Sequence, residues 1–109
     1  MTKKQKARAR ALLAKDCKIS NRYYDAGKTC AIGCLAVASG VSVKLLEAAV
    51  ARIDSEYTSS VKIARAIKRK FGMSVEHMDS IQRANDSWTK IPARRRAVLA
   101  KLDSFPTKG

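Results

Sequence analysis

Acidic residues are scarce in this 109-residue chain, nine Asp and Glu against 23 Lys and Arg, and the shortfall leaves a formal net charge of +14 at pH 7. A surface so short of acid repels basic molecules and draws in polyanions, so nucleic acid, an acidic protein surface or an anionic membrane is the expected class of partner. Aromatics are also few, one Trp, three Tyr and two Phe, which leaves no row of rings to stack successive unpaired bases. Tyr23, Tyr24 and Trp88 are the only candidates for that task. Long apolar runs are missing too. The longest, Cys30 to Ala38, falls far short of the roughly 20 residues of a membrane-spanning helix, so a membrane protein is not expected. The basic start has the look of a signal-peptide n-region, but Ala11 to Ala14 is too short an apolar stretch and Lys15, Asp16 and Lys18 follow at once.

Cysteines number only three, Cys17, Cys30 and Cys34. An odd count without framework spacing fits reduced thiols in a cytoplasmic protein better than a secreted disulfide scaffold. Cys30 and Cys34 stand one helical turn apart, where a bridge would constrain almost nothing.

What is abundant is positive charge in three blocks that contain no acid. They are Lys3, Lys4, Lys6, Arg8, Arg10 and Lys15; Lys62, Arg65, Lys68, Arg69 and Lys70; and Lys90, Arg94, Arg95, Arg96 and Lys101. Solubility asks for a net charge of only about 2 to 8, and a larger excess repels itself and costs stability. Three acid-free runs therefore favour an anion-binding role over plain solvation.

At this length, with 46% hydrophobic residues, one core and one domain are expected. Thr2 with Gln5 three residues on is a capping-box pattern, and the Lys, Arg, Ala and Leu that follow predict a helix over Lys3 to Lys15. Its inward face is thin, Ala9, Leu12 and Leu13, so its first half is expected to act as an arm that orders on a partner. Residues 22–30 fit a short β-hairpin or an irregular loop equally well. Cys30 to Ser39, apolar almost all round and ending at Gly40, predicts the buried central helix, with Gly33 marking a close approach of another backbone. Ser42 is expected to cap a helix from Val43 to about Ile53. Asp54 to Tyr57 reads as a polar connection before a helix capped by Ser59 or Ser60 that stops at Phe71 and Gly72. There Ile63, Ala64, Ile67 and Phe71 face inward and Lys62, Arg65 and Arg69 outward. Ser74 is expected to cap the next helix, Val75 to about Ala84, with Met78 and Ile81 inward, and Asn85, Asp86 and Ser87 ending it. A last helix runs from Pro92 to about Leu102, with Val98, Leu99 and Leu102 buried and Arg94 to Arg96 exposed. Residues 105–109 read as a short tail after a helical core over 16–104. The fold class is all-α, a single domain of about five helices.

Several constellations invite chemistry. Cys30, His77 and Asn85 follow the Cys, His, Asn order of papain-like proteases, with Cys30 at a helix start that lowers a thiol's pKa, yet the flanking residues do not reproduce that family's signature. Cys17, Cys30, Cys34 and His77 supply the ligand count of a zinc site without a Cys-x2-Cys knuckle, and His77 alone reads as a surface residue. Gly27, Lys28 and Thr29 echo the end of a phosphate-binding loop that lacks its upstream glycine. Ser59 to Ala84 has the size of a helix-turn-helix, but Glu76 and Asp79 make its second helix a poor guest for a phosphate-lined groove. Neither a metal nor a cofactor is expected.

The run Asp25, Ala26, Gly27, Lys28, Thr29, Cys30, Ala31, Ile32, Gly33, Cys34, Leu35, with Phe71-Gly72 and Ala84-Asn85-Asp86 downstream, resembles a family of small uncharacterised bacteriophage and bacterial proteins. The likeness covers about Tyr24 to Leu102. Cys34 stands where that family usually has Ala, and the basic N-terminal helix is an addition. The resemblance implies a phage or mobile-element origin, the host cytosol as location and no established activity.

The expected function is non-enzymatic nucleic-acid binding through phosphate contacts, with little direct reading of sequence. Lys3, Lys4, Lys6, Arg8, Arg10, Lys62, Arg65, Arg69, Arg94, Arg95 and Arg96 are the candidate contacts. A host-factor inhibitor that docks on an acidic protein surface is the alternative, and a cysteine-dependent enzyme is third.

Overall fold

Five of the helix ends are set by side chains or glycines whose roles are visible in the computed structural model, which describes residues 1–15, 31–46, 56–87 and 91–107. At the first, the Thr2 amide donates to Gln5 Oε1 at 2.8 Å and the Gln5 amide to Thr2 Oγ1 at 3.1 Å. This reciprocal pair opens α1 (Lys3–Lys15) and satisfies two amides that a helix start otherwise leaves open. The second helix, α2 (Ala31–Ala38), ends at Gly40 with φ +91°. There the Val41 amide donates to Ala36 O and the Gly40 amide to Val37 O, each at 3.0 Å, the paired bonds of a Schellman stop. Ser42 then accepts the Leu45 amide at 3.1 Å and starts a third helix, α3, described over 43–46.

Gly72, φ +68°, stops α4 (Glu56–Phe71), and its amide donates to Lys68 O at 2.8 Å. Ser74 caps α5 (Val75–Asp86) by accepting the His77 amide at 3.1 Å. The last helix is α6 (Ile91–Asp103). The described residues are thus all-α, arranged in a body of 39 × 31 × 20 Å. No described helix is long and apolar enough to cross a membrane. Ser74→Ala is expected to cost about 1 kcal/mol through loss of the cap, read as a lower urea midpoint with an unchanged slope.

The centre is α2, whose residues Ala31 to Ala36 are all buried. It touches α1, α4 and α5, while α6 packs on α5 and α1. Leu13, Leu35, Leu46, Ile67, Phe71, Met73, Ile81, Val98 and Leu102 supply the largest apolar side chains of the interior. Burial of this kind contributes about 1.5 to 3 kcal/mol per large side chain, the main favourable term in a domain this small. The inward faces expected of α4 and α5 hold, with Ile63, Ile67, Phe71, Met78 and Ile81 buried.

Several boundaries depart from expectation. Helix α4 begins at Glu56, so Ser59 and Ser60 lie inside it and do not cap it. Serine inside a helix costs only a fraction of a kcal/mol. Asn85 belongs to the last turn of α5 and is fully buried. It lies at the i, i+3, i+7 positions set by Met78 and Ile81, so the helical stripe claims it before any turn can. Asp86 accepts from Gln82 Nε2 at 3.0 Å and Asn85 Nδ2 at 3.2 Å, and so ties down its own helix end. Phe105 is 7% exposed and belongs to the core, where its ring stacks on His77 with centroids 4.1 Å apart. His77 is accordingly half-buried and not a surface residue.

Helix α1 is no detached arm. Ala9 and Leu13 are fully buried, Met1 packs on the core, and Lys6 Nζ donates to Asp103 O at 2.8 Å and Phe105 O at 2.7 Å. Cys34, expected as a reduced thiol, is disulfide-bonded to a partner outside the described residues. A cysteine pair held within bridging distance overrides an inference from count and spacing. The segment 22–30, with its hairpin or loop, and most of the helix expected to reach Ile53 also lie outside the described residues.

Candidate nucleic-acid interface

Helix α4 builds the first half of the surface. With Ile63, Ile67 and Phe71 turned inward, helical spacing leaves Lys62, Arg65, Lys68, Arg69 and Lys70 exposed. Lys68, Arg69 and Lys70 occupy the last turn, where the negative end of the helix dipole favours cations by about 0.3 to 1 kcal/mol each. Lys62, Arg65 and Arg69 line a shallow depression of about 500 Å³, whose other wall is the Ser39 to Ser42 turn and Leu45. Ser39 Oγ donates to Leu35 O at 2.7 Å and is occupied. Ser42 Oγ accepts the Leu45 amide, which leaves its own proton to be donated outward.

The second half is the start of α1, and Gly72 joins the two. A Cβ on Gly72 would lie 2.5 Å from Gln5 Oε1 and 3.0 Å from the Met1 Cα, and Gln5 Nε2 donates to Lys70 O at 3.5 Å. The first turn of α1 therefore rests on the last turn of α4. This brings the segment bearing Lys3 and Lys4 close to the one bearing Lys68, Arg69 and Lys70, although Lys3 itself lines a depression with Lys6, Arg10 and Asp103. None of Lys3, Lys4, Lys68, Arg69 and Lys70 forms an ion pair among the described residues. Lys3 and Lys4 also sit at the positive end of a helix with no acid in its first turn, an arrangement that an external anion would relieve. Gly72→Ala is expected to cost about 1 to 2 kcal/mol from the left-handed backbone alone and more because α1 must shift. Gly40→Ala, whose added Cβ meets nothing within 4 Å, is expected to cost only the backbone part, a ranking that urea unfolding of the two variants checks.

The other candidate residues fare unequally. Arg8 is exposed. Arg10 bonds to Asp103 through Nε at 3.1 Å and Nη2 at 3.4 Å, and Lys6 caps the end of α6, so both serve the fold. The expectation of three exposed arginines on α6 fails at Arg94, which is 9% exposed. Arg94, Val98 and Leu102 are four residues apart in turn, so Arg94 shares their inward stripe. Arg95 is half-buried, and Arg96 alone is exposed. Arg94 and Arg95 are both engaged by other groups of the protein. Lys68 and Lys70, left out of the expected contacts, are exposed on the same last turn of α4 that α1 rests on.

The chemical constellations dissolve in part. Cys30 lies outside the described residues, His77 stacks on Phe105, and Asn85 is buried in α5. Cys34, one of the thiolates a Cys3His zinc site would need, is spent in its disulfide. Helix α5 carries Glu76, Asp79 and Asp86, and its Arg83 is paired with Asp79 at 2.9 Å, which keeps it unsuited to a phosphate-lined groove. The chain matches no known protein-family model, no curated protein and no solved structure. Charge and geometry therefore carry the functional reading.

Proposed function

We propose that the chain is a non-enzymatic nucleic-acid-binding protein that holds backbone phosphates with Lys and Arg. The observation that carries this is the junction at Gly72, where the first turn of α1 rests on the last turn of α4 and exposed cations without ion pairs among the described residues stand on both. Such a surface gains from releasing the counterions condensed on a phosphate backbone. Lys3, Lys4, Arg8, Lys62, Arg65 and Arg69 are its principal contacts, with the exposed Arg96 of α6 as a further one. The resemblance of Cys30 to Leu35 and of Asn85-Asp86 to a phage family favours a mobile-element origin.

Binding of labelled duplex DNA, single-stranded DNA and RNA at physiological salt tests this reading. Retained binding by the wild type that weakens when Lys3, Lys4 and Arg8 are replaced by Ala supports it. Loss of all binding near physiological salt overturns it. A second reading, docking on an acidic protein surface, draws on Val37 and Val43, 44% and 46% exposed on either side of the Ser39 to Ser42 turn. In that case an acidic protein would compete away whatever nucleic acid the chain binds.

A further inference from the structure

The depression between α4 and the Ser39 to Ser42 turn has cations on one wall and a hydroxyl and a bare backbone on the other, whereas the basic depression beside Lys3, Lys6 and Arg10 also holds the Asp103 carboxylate. Lys62, Arg65 and Arg69 stand at i, i+3 and i+7, so they follow one line along α4 for about 10 Å. One strand of a duplex advances about 3.4 Å per nucleotide along its axis while winding around it, so three cations on that line, carried on long flexible side chains, can each reach a different phosphate of one strand. Opposite, Ser42 has its hydroxyl proton free to donate, and the space above Gly40 is open within 4 Å of where a side chain would begin. No aromatic residue among the described ones lines the depression, so unstacked bases find no ring among them to rest on. Arg69 belongs both to this groove and to the last turn of α4, on which α1 rests.

We propose that this groove grips the phosphodiester edge of one strand of duplex nucleic acid, with Lys62, Arg65 and Arg69 pairing successive phosphates and Ser42 donating to one of them. The proposal rests on the nucleic-acid reading above and narrows it to a place and a strand state. Duplex DNA and duplex RNA present the same edge, so both are used as probes.

The test compares two charge-matched variants of the whole protein, K62A/R65A/R69A and K3A/K4A/R8A, by fluorescence anisotropy on labelled duplex DNA, duplex RNA and single strands of equal length. The groove variant is expected to lose at least tenfold more affinity for a duplex than the α1 variant. Its log–log salt slope should fall by about 2 to 3, the share of three phosphate contacts. Single strands are expected to bind more weakly than duplexes. Thermal unfolding of both variants close to the wild type assigns the loss to contacts and not to folding. Equal losses from the two variants, or single strands bound as tightly as duplexes, would overturn the groove while leaving general nucleic-acid binding in place. Absence of binding by the wild type would instead overturn the nucleic-acid reading and the groove with it.

Discussion

Leu13→Ala is expected to remove about 2 to 5 kcal/mol of stability, a large share of the roughly 5 to 15 kcal/mol that holds a domain of this size. The side chain is fully buried, on a helix that touches α2, α4 and α6 at once. Truncation there forfeits the transfer energy of the lost carbons and leaves a cavity that three helices must close around. Ala11, exposed on the same helix, is the control, and Ala11→Ser should stay within about 0.5 kcal/mol. Urea unfolding of the two variants checks the pair. A neutral Leu13→Ala would mean that α1 is an arm after all, and the joining of the two basic blocks at Gly72 would lose its basis.

The second large effect separates neighbours on α6. Arg94→Ala is expected to cost about 2 to 3 kcal/mol, because a group engaged by a nearly buried cation loses its partner and the apolar stem leaves the core. Arg96→Ala should change stability by less than about 0.5 kcal/mol. Thermal unfolding reads both. The practical consequence is that a combined replacement of Arg94, Arg95 and Arg96 would confuse unfolding with loss of contact, so only Arg96 is informative about binding on this helix.

Much of this was legible in the residues because local rules and tertiary packing agree. The Thr2 and Gln5 capping box, the stops at Gly40 and Gly72, the Ser42 and Ser74 caps and the inward stripe of α4 all rest on spacings within one turn of a helix. The misreadings share a cause, which is that residue type was weighed above position. Arg94 and Asn85 are polar, yet counting four back from Val98, or seven on from Met78, places each on a buried stripe. Phe105 was assigned to a tail because it follows the helix, although an isolated aromatic beside a core is apt to fold back onto it. The docking of α1 against α4 was not legible at all, since it depends on contacts between residues about 65 positions apart, Gln5 and Lys70. The nearness of the two basic segments is therefore a property of the fold and not of either segment.

The central claim is that exposed cations of α1 and α4 engage backbone phosphates together, and the salt dependence of duplex binding tests it most directly. Lys3, Lys4, Arg8, Lys62, Arg65 and Arg69 are exposed and form no ion pair among the described residues. If all six pair with phosphates, the logarithm of the association constant should fall with the logarithm of salt concentration at a slope of about −5. A slope between about −3 and −6, with binding still measurable at physiological salt, is the predicted result. A slope shallower than about −1, or no binding once salt reaches the physiological range, would contradict it and turn attention to an acidic protein as the partner.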